Sequence, residues 1–307
     1  MKKFFVSILG LSIILAFSSC GPNDDEPQEP KEEPQEPKEE VFVSKTPENR
    51  KVILEEYTGI NCGYCPDGHK RADSLRKLWP HKFWSINIHA GNLAAAYTTN
   101  EGTTLFNSFG VSAIPTGAVS RELVNLGDNK YAYAINRGAW GYVAEQLFNQ
   151  KAYANVAAKT TIKKSTRQLT CKVQVYFTDS VTVAEGKNFV NIVLLQDNIW
   201  GAQANGEAFY PAMYDKNTGK YKHNHMLRTF ITGVSGEAIP KNKKGELYSK
   251  TFTYTIPETI SNEAVVIDDL SVLVFVSQAD PTQAMKITKV EDMPRIINAC
   301  KSSIKIE

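Results

Sequence analysis

Two cysteines three positions apart are the residues of this sequence best suited to chemistry. Cys62 and Cys65 enclose the dipeptide Gly63-Tyr64. Cysteines at this spacing can form a structural disulfide, exchange disulfides with another protein or contribute to a zinc site. A structural zinc site needs two further ligands, and the sequence has no second such pair and no histidines at zinc-finger spacing. We therefore expect a redox-active or structural disulfide, and neither a metal nor a cofactor.

The segments around the pair predict a junction between a strand and a helix. Residues 51–57 form a short apolar run typical of a strand, and residues 66–79 carry apolar side chains at helical spacing. A helix N-terminus supplies unpaired amides and the positive end of the helix dipole. Both stabilise a thiolate and lower a cysteine pKa below its free value of about 8.5. Cys62 is thus predicted to be the exposed nucleophile.

Two further positions extend the pattern around the cysteines. Ile114-Pro115-Thr116 follows a helix predicted at Glu101 to Phe109, and Glu56 lies six residues before Cys62. With the cysteine pair, these residues resemble the thioredoxin superfamily. The resemblance implies that Pro115 is a cis-proline facing Cys62, and that Glu56 is a buried acid of raised pKa. The alternative to a buried acid is that Glu56 forms a salt bridge at the edge of the sheet.

The same resemblance implies a catalytic cycle. The Cys62 thiolate would attack a substrate disulfide, and Cys65, deprotonated with the help of Glu56, would release the substrate from the mixed disulfide. His69, one helical turn further on, is predicted to lie on the helix surface, with a role in tuning the charge at the cysteine pair as the alternative. Asn61 departs from the family, which usually has Trp at this position, whereas Gly63-Tyr64 is the dipeptide of periplasmic disulfide isomerases.

Two functions therefore stand as hypotheses. The first is a thiol-disulfide oxidoreductase of reductase or isomerase type, whose partners are disulfide-containing exported proteins or an envelope redox protein. The second is a non-catalytic binding or adhesion protein that uses the fold as a scaffold. A nucleic-acid partner is not expected, because 35 basic and 33 acidic residues leave no basic run or basic-aromatic stripe.

The N-terminus predicts export and lipidation. Lys2 and Lys3 precede an apolar run of fourteen residues, which is short for a membrane span of about 20 residues. Ser18-Ser19-Cys20 resembles the bacterial lipobox, although Phe17 stands where an aliphatic residue is usual. Residues 1–19 are therefore predicted to be a lipoprotein signal peptide. Cys20 would then carry acyl chains such as palmitate and anchor the protein to a membrane.

The residues after Cys20 predict an extended tether. The heptad PQEPKEE occurs at residues 27–33 and again at 34–40, and residues 21–40 hold nine acidic residues against two lysines. Such a segment has no apolar side chains to bury, and its prolines favour an extended polyproline II conformation. Residues 20–44 are therefore predicted to be an acidic, Pro-rich stalk.

The rest of the chain predicts two domains. Residues 45–152 are expected to form an α/β thioredoxin-like domain that ends in a helix at Lys130 to Gln150. Residues 153–307 are expected to form an all-β, immunoglobulin-like sandwich domain. Its predicted strands are Asn155–Ile162, Leu169–Phe177, Phe189–Leu195, Tyr248–Ile256 and Leu270–Val276.

Two features of the second predicted domain are not explained by the sandwich. Trp200 to Arg228 is expected to be a long loop whose aromatic residues dock onto the first domain, and its two histidines alone do not specify a metal site. Cys171 and Cys300 either pair in the oxidising compartment or remain buried thiols. The sequence leaves both alternatives open.

Several motifs along the chain resemble one family as a set. They are the lipobox, the acidic stalk, Glu-Glu-Tyr-Thr-Gly at residues 55–59, Cys62 to Pro66 with Gly68-His69 after them, and His-Asn-His-Met-Leu-Arg at residues 223–228. The chain resembles the outer membrane protein 28 family of Bacteroidetes over nearly its whole length. The resemblance implies a lipid-anchored outer-membrane protein, on the periplasmic or the cell-surface face, with a thioredoxin-like domain.

Overall fold

Strand β1 (Val52–Thr58) is buried on both faces and organises the first half of the molecule. The computed structural model describes residues 40–180, 186–286, 289 and 292–307. The predicted signal peptide, the lipidated Cys20 and the stalk up to residue 39 lie outside these residues. Residues 41–307 belong to one compact unit. No helix in the described part of the chain has the length and apolar character of a membrane-spanning segment.

The helices are short, and the strands dominate. The α-helices are α1 (Cys65–Leu78), α2 (Asn100–Ser108), α3 (Trp140–Phe148) and α4 (Gly206–Phe209). Turns of 3₁₀-helix lie at Pro211–Met213, Ile267–Asp269 and Pro281–Lys286. The fold is thus β-rich with few helices, consistent with an α/β region and a β-sandwich.

The strands after β1 follow in chain order. In the first half they are β2 (Phe83–His89), β3 (Thr116–Val119), β4 (Val124–Gly127), β5 (Lys130–Ala132) and β6 (Ala134–Asn136). In the second half they are β7 (Ala154–Lys163), β8 (Gln168–Phe177), β9 (Asn188–Gln196), β10 (Ile199–Gly201), β11 (Tyr214–Asp215), β12 (Lys220–His223), β13 (Met226–Phe230), β14 (Glu237–Ile239), β15 (Leu247–Thr255), β16 (Thr259–Ile260), β17 (Glu263–Ala264), β18 (Leu270–Gln278), β19 (Ile296–Lys301) and β20 (Ser303–Ile306).

The first half is a βαβ unit extended by antiparallel strands. β1 and β2 are parallel, with α1 as the crossover between them, while β3 pairs antiparallel with β1 and β6 pairs antiparallel with β3. Side chains of β1 alternate between two cores. Val52 and Leu54 pack with α1 and α3, whereas Ile53 and Tyr57 pack on the side of α2. The predicted strand-to-helix junction is therefore present, with α1 starting at Cys65.

The helix predicted at Lys130 to Gln150 is wrong for its first ten residues. Asp128 and Asn129 have positive φ angles, 49° and 56°, and turn the chain from β4 into β5. Ile135 then pairs with Gly117 of β3, so that sheet formation replaces the helix. The helix itself begins at Trp140. Pairing with a distant strand outweighs the local helical spacing here.

The largest sheet joins strands from both halves of the chain. Nine strands form it, in the order β19-β18-β9-β13-β2-β1-β3-β6, with β14 also paired to β9. β13 lies parallel to β2 and antiparallel to β9, and it thereby connects the two halves. The predicted domain boundary between residues 152 and 153 stays a prediction, and this sheet crosses it.

The second half contains two facing sheets. A four-stranded sheet, in the order β15-β8-β7-β20, packs on one face of β9, β18 and β19. Alternate residues Val190, Ile192 and Leu194 of β9 point into this core, while Val193 and Leu195 point to the opposite core shared with α2. All five strands predicted in this half are observed to within two residues at each end.

The stretch predicted as a long loop is structured. Residues 199–223 contain α4 and a three-stranded sheet in the order β10-β12-β11, and β13 follows at Met226. The expectation of an irregular loop was wrong because its strands have only two to four residues, which is too short to show an alternating pattern.

Candidate functional site

Cys62 and Cys65 form a disulfide at the start of α1. The turn is held by its own backbone, since the amide of Cys62 donates to the carbonyl oxygen of Gly59 at 3.1 Å and the amide of Cys65 to that of Cys62 at 3.3 Å. Cys62 is 3% exposed and Cys65 is fully buried. The prediction of an exposed nucleophile is therefore wrong for this oxidised state. A segment from the second half of the chain, described below, contacts the backbone of this turn.

Pro115 lies beside the disulfide. The Ile114–Pro115 peptide bond is cis, and the carbonyl oxygen of Ile114 lies 3.7 Å from the Sγ atom of Cys62. Pro115 also contacts α1 at Gly68, where a Cβ atom would lie 3.1 Å from the proline Cβ. The sequence-predicted neighbourhood of Pro115 and Cys62 is thus present in the structure.

Glu56 lies on the face of β1 that meets α1. A Cβ atom at Gly68 would lie 2.6 Å from Glu56 Oε1, so only glycine fits between the helix and the carboxyl group. Glu56 is fully buried, and neither of its oxygens has a hydrogen-bond partner. Burial raises its pKa to about 8, against the opposing charges of Arg76 and Arg137. At neutral pH the group is therefore largely protonated, and it holds this proton beside Gly68, about one helical turn after Cys65.

The neighbouring acid is held quite differently. Glu55 points to the opposite face of β1 and accepts two-pronged hydrogen bonds from Arg121, with the shortest contact 2.7 Å. Both side chains of this pair are fully buried. The ion-paired role considered for Glu56 thus belongs to Glu55, because successive residues of a strand face opposite sides.

The sequence prediction for His69 is wrong. His69 is buried rather than on the helix surface, with Nε2 2.8 Å from the Thr58 hydroxyl and Nδ1 3.0 Å from the Tyr221 hydroxyl. Its ring lies near that of His223, which in turn stacks edge-on with His89 at 5.5 Å between ring centroids. Burial lowers the pKa of His69 to about 3 and that of His223 to about 4. The three rings are therefore neutral at pH 7.

Sequence reasoning missed this histidine cluster. Both nitrogens of His89 and Nδ1 of His223 are buried without hydrogen-bond partners. No group of three or more histidine, cysteine or acidic side chains among the described residues is arranged to hold a metal ion. The contributing residues come from α1, β2 and β12, so no local pattern could have grouped them.

Residues 203–210, here named the covering segment, lie over the turn that contains the disulfide. The Nε2 atom of Gln203 donates to the carbonyl oxygens of Cys62 at 3.1 Å and Gly59 at 3.3 Å. The ring of Phe209 packs on that of Tyr64 at 5.4 Å. These contacts dock the second half of the chain on the first, as its aromatic residues predict.

The covering segment is also fastened to α1. The Tyr210 hydroxyl donates to Asp73 at 2.5 Å, and the carboxyl group of Asp73 accepts further bonds from Arg76 and Lys77. On the other side of the disulfide, an open cleft of about 380 Å³ extends from Ile114. Ala90, Gly91, Asn92, Leu93, Phe106 and Val111 to Ala113 form the rest of its wall.

Cys171 and Cys300 are free thiols in the sandwich core. Burial raises the pKa of both, that of Cys300 to about 12. The structure therefore has two unpaired thiols, as in the second of the alternatives left open for them, with Cys171 buried and Cys300 partly buried.

Comparison with known proteins identifies one family. The model of a family described as outer membrane protein Omp28 matches residues 102–293, which is more than half of the chain. The matched region includes Pro115 and the covering segment but not the cysteine pair. No protein among those with curated functions matches the chain significantly.

Two solved structures are similar to parts of the chain. HBP35 of Porphyromonas gingivalis has a TM-score of 0.63 at 19% sequence identity, and the match covers 84% of this chain and 76% of that chain. A domain of the outer membrane lipoprotein Omp28 from the same organism has a TM-score of 0.30 at 16% identity, covering 51% of this chain and 91% of that chain. At these identities, the first likeness concerns the fold alone.

Proposed function

This chain belongs to the outer membrane protein Omp28 family, and we propose that it is a membrane-anchored thiol-disulfide oxidoreductase acting on disulfides of exported proteins. One observation carries the proposal. Cys62, Cys65, the cis-proline Pro115 and the protonated Glu56 converge at one strand-to-helix junction. A purely structural disulfide has no need of a buried, unpaired acid beneath it, and such a carboxyl group is costly to bury.

The fold around the site supports a thioredoxin-like region for residues 45–152. A βαβ unit places the cysteines at the start of α1, and an antiparallel strand opens directly after the cis-proline. The facing sheets of residues 153–307 similarly support an immunoglobulin-like sandwich.

In the proposed reaction, the reduced protein transfers two electrons to its substrate. The Cys62 thiolate attacks one sulfur of the substrate disulfide, the substrate S–S bond breaks, and one substrate thiolate leaves. Cys65 then loses its proton to the carboxylate form of Glu56 and attacks Cys62 Sγ, releasing the second substrate thiolate and closing the Cys62–Cys65 disulfide. A dithiol donor of the envelope reduces the pair again.

Insulin reduction tests this function. With dithiothreitol as the electron source, the wild-type protein is expected to accelerate precipitation of the insulin B chain, and Cys62→Ser is expected to abolish the acceleration. Cys171→Ser, which removes a thiol of the sandwich core, is the matched control and should keep the activity. Equal rates for the wild type and Cys62→Ser would contradict the proposal.

The alternative is a non-catalytic binding or adhesion protein that uses the fold as a scaffold. The burial of both sulfur atoms favours it, because a substrate disulfide cannot reach a covered nucleophile. A reduction potential of the Cys62–Cys65 pair below about −300 mV would support this alternative, since such disulfides resist cellular reductants.

Membrane attachment is proposed to use Cys20. The family is one of outer membrane proteins, and the sequence before Cys20 has the features of a lipoprotein signal. Cys20→Ala should move the protein from the membrane fraction to the soluble envelope fraction. Protease treatment of intact cells would then distinguish the cell-surface from the periplasmic face.

A further inference from the structure

We propose that Gln203 is a positioning residue that keeps the covering segment closed over the Cys62–Cys65 disulfide and so controls how fast the disulfide is reduced and formed again. The biological meaning of this control rests on the proposed function. The control itself is a property of the fold and can be measured without any protein substrate.

The contacts of Gln203 reach the reactive turn directly. Its side-chain amide is the hydrogen-bond donor to the carbonyl oxygens of Cys62 and Gly59, residues that are 141 and 144 positions away in the chain. The next residue adds a backbone bond, from the amide of Ala204 to the carbonyl oxygen of Ile60 at 2.7 Å. Gln203 and Ala204 of the second half therefore hold three carbonyl oxygens within residues 59–62, those of Gly59, Ile60 and Cys62.

Asn205, the residue after Ala204, lies over the turn. Asn205 has a left-handed backbone, with φ of 54°, and its Nδ2 atom would lie 2.8 Å from a Cβ atom at Gly63. The side chain thus lies over Gly63, and a Cβ atom at position 63 would force it to shift. Phe209 extends the cover to Tyr64.

This arrangement accounts for the inaccessible sulfur atoms. A nucleophile must approach a disulfide sulfur along the axis of the S–S bond, yet the two cysteines are 3% and 0% exposed. Reduction therefore requires the covering segment to move. The Gln203 amide is the group whose loss should favour that movement, because it removes the donor that joins the covering segment to the carbonyl oxygens of Cys62 and Gly59, which keep only their bonds within the turn.

The proposal makes the covering segment a gate, a segment that must open before the disulfide can react. The rates of reduction and oxidation distinguish such a gate from a contact that only stabilises one redox state. If the same opening precedes both reduction and oxidation, a variant that opens more readily speeds both reactions by the same factor. The equilibrium potential then stays unchanged, since it depends only on the difference between the oxidised and reduced states.

The test uses the full-length protein in detergent. Tris(2-carboxyethyl)phosphine attacks one sulfur, the S–S bond breaks, and water completes the reaction to give two thiols and the phosphine oxide. Alkylation and mass spectrometry follow the rate, oxidised glutathione supplies the reverse reaction, and dithiothreitol buffers give the potential. Gln203→Glu keeps the size of the side chain but loses its donors. Both rates are expected to rise about tenfold at an unchanged potential.

A second variant and a control complete the design. Asn205→Gly preserves the left-handed backbone at no steric cost and removes the side chain over Gly63, so both rates should rise several-fold. Gln283→Ala changes an exposed glutamine and should alter neither rate. Unchanged rates in both variants, or a shifted potential without faster exchange, would overturn the inference.

The two proposals fail independently. Faster phosphine reduction in the variants, with no insulin turnover by the wild type, would retain the gate and remove the enzyme. Insulin turnover that requires Cys62, with no response of the reduction rates to Gln203→Glu, would do the reverse.

Discussion

The structure places cysteines in two different environments, one at the start of α1 and one in the core of the sandwich. Cys62 and Cys65 lie at a helix start among polar groups, with a backbone carbonyl, a carboxyl group and hydrogen-bond donors around them. Cys171 and Cys300 lie among Val, Leu and Ile side chains of a sandwich, where burial raises their pKa. Because the thiolate is the reactive form of cysteine, polar surroundings favour reactivity of the first pair, whereas burial in the sandwich core disfavours it for the second.

The largest expected effect concerns Glu56, the buried acid on the strand before the cysteine pair. The pKa of Glu56 is raised from 4.5 to about 8, so the folded protein keeps a proton that the unfolded chain loses. The free energy of unfolding should therefore fall as the pH rises from 4.5 to about 8 and change no further above that range. Glu56→Gln should remove this loss, a gain of roughly 4–5 kcal/mol near pH 8.5.

Urea unfolding at pH 5 and pH 8.5 measures the effect. Glu145→Gln, at an exposed position of α3, is the control and should leave the pH dependence unchanged. A Glu56→Gln variant with the same pH dependence as the wild type would show that the carboxyl group is charged in the folded state.

The second prediction compares the cysteines directly. After reduction, iodoacetamide at pH 8 should modify Cys62 faster than Cys300, because burial raises the pKa of the Cys300 thiol to about 12 and keeps that thiol almost entirely protonated at this pH. Mass spectrometry of peptides taken over time gives each rate. Comparable labelling rates of Cys62, Cys171 and Cys300 in the native protein would contradict a difference in thiol reactivity between the two regions.

The third prediction concerns the buried histidines near the start of α1. The pKa of His69 is lowered from 6.5 to about 3, so between these values the unfolded chain binds a proton that the folded protein does not. Stability from this residue is complete above pH 6.5 and falls as the pH drops towards 3. His69→Gln should reduce that loss by about 2 kcal/mol between pH 6.5 and 5.

Denaturant unfolding at these two pH values measures the slope. His81→Gln, at an exposed position before β2, should leave the slope unchanged. A slope that His69→Gln does not reduce would mean that the ring is protonated within the fold.

The smallest effect belongs to the sandwich. Cys171→Ala removes one sulfur atom from a well-packed core, so the free energy of unfolding should fall by about 1 kcal/mol, as for a small cavity. Disulfide exchange at Cys62 should keep its wild-type rate. A change in that rate would show that the two regions are coupled through the shared sheet.

Much of the fold follows from local patterns. The alternation of residues 169–177 and 270–276 predicted strands that are present, and the apolar run before Cys62 predicted β1. These patterns succeed because burial of one face is decided by residues two to four positions apart. The helix predicted at residues 130–139 is absent because pairing of this segment with β3, which is distant in sequence, outweighed the local helical spacing.

The candidate site likewise contains residues whose positions the sequence predicted and one whose position it did not. Cys62 and Cys65 were identifiable from residue type and spacing, and the resemblance to the thioredoxin superfamily added Glu56 and Pro115. In the structure, Glu56 and Pro115 both contact α1 at Gly68, three residues after Cys65. His69 was assigned to the surface because its helical position alone does not reveal that Tyr221, 152 residues away, covers it.

By itself, the sequence determined a cysteine pair at a strand-to-helix junction, with an acid on the preceding strand and a proline at the start of a later one. These are consequences of short-range geometry, which residue spacing encodes. Only the tertiary structure decided that the disulfide is covered, that Glu56 rather than Glu55 is left unpaired, and that three histidines meet behind the turn. Each of these depends on Gln203, Arg121 or Tyr221 arriving from distant parts of the chain, and burial by such contacts sets the protonation and access of the groups beneath them.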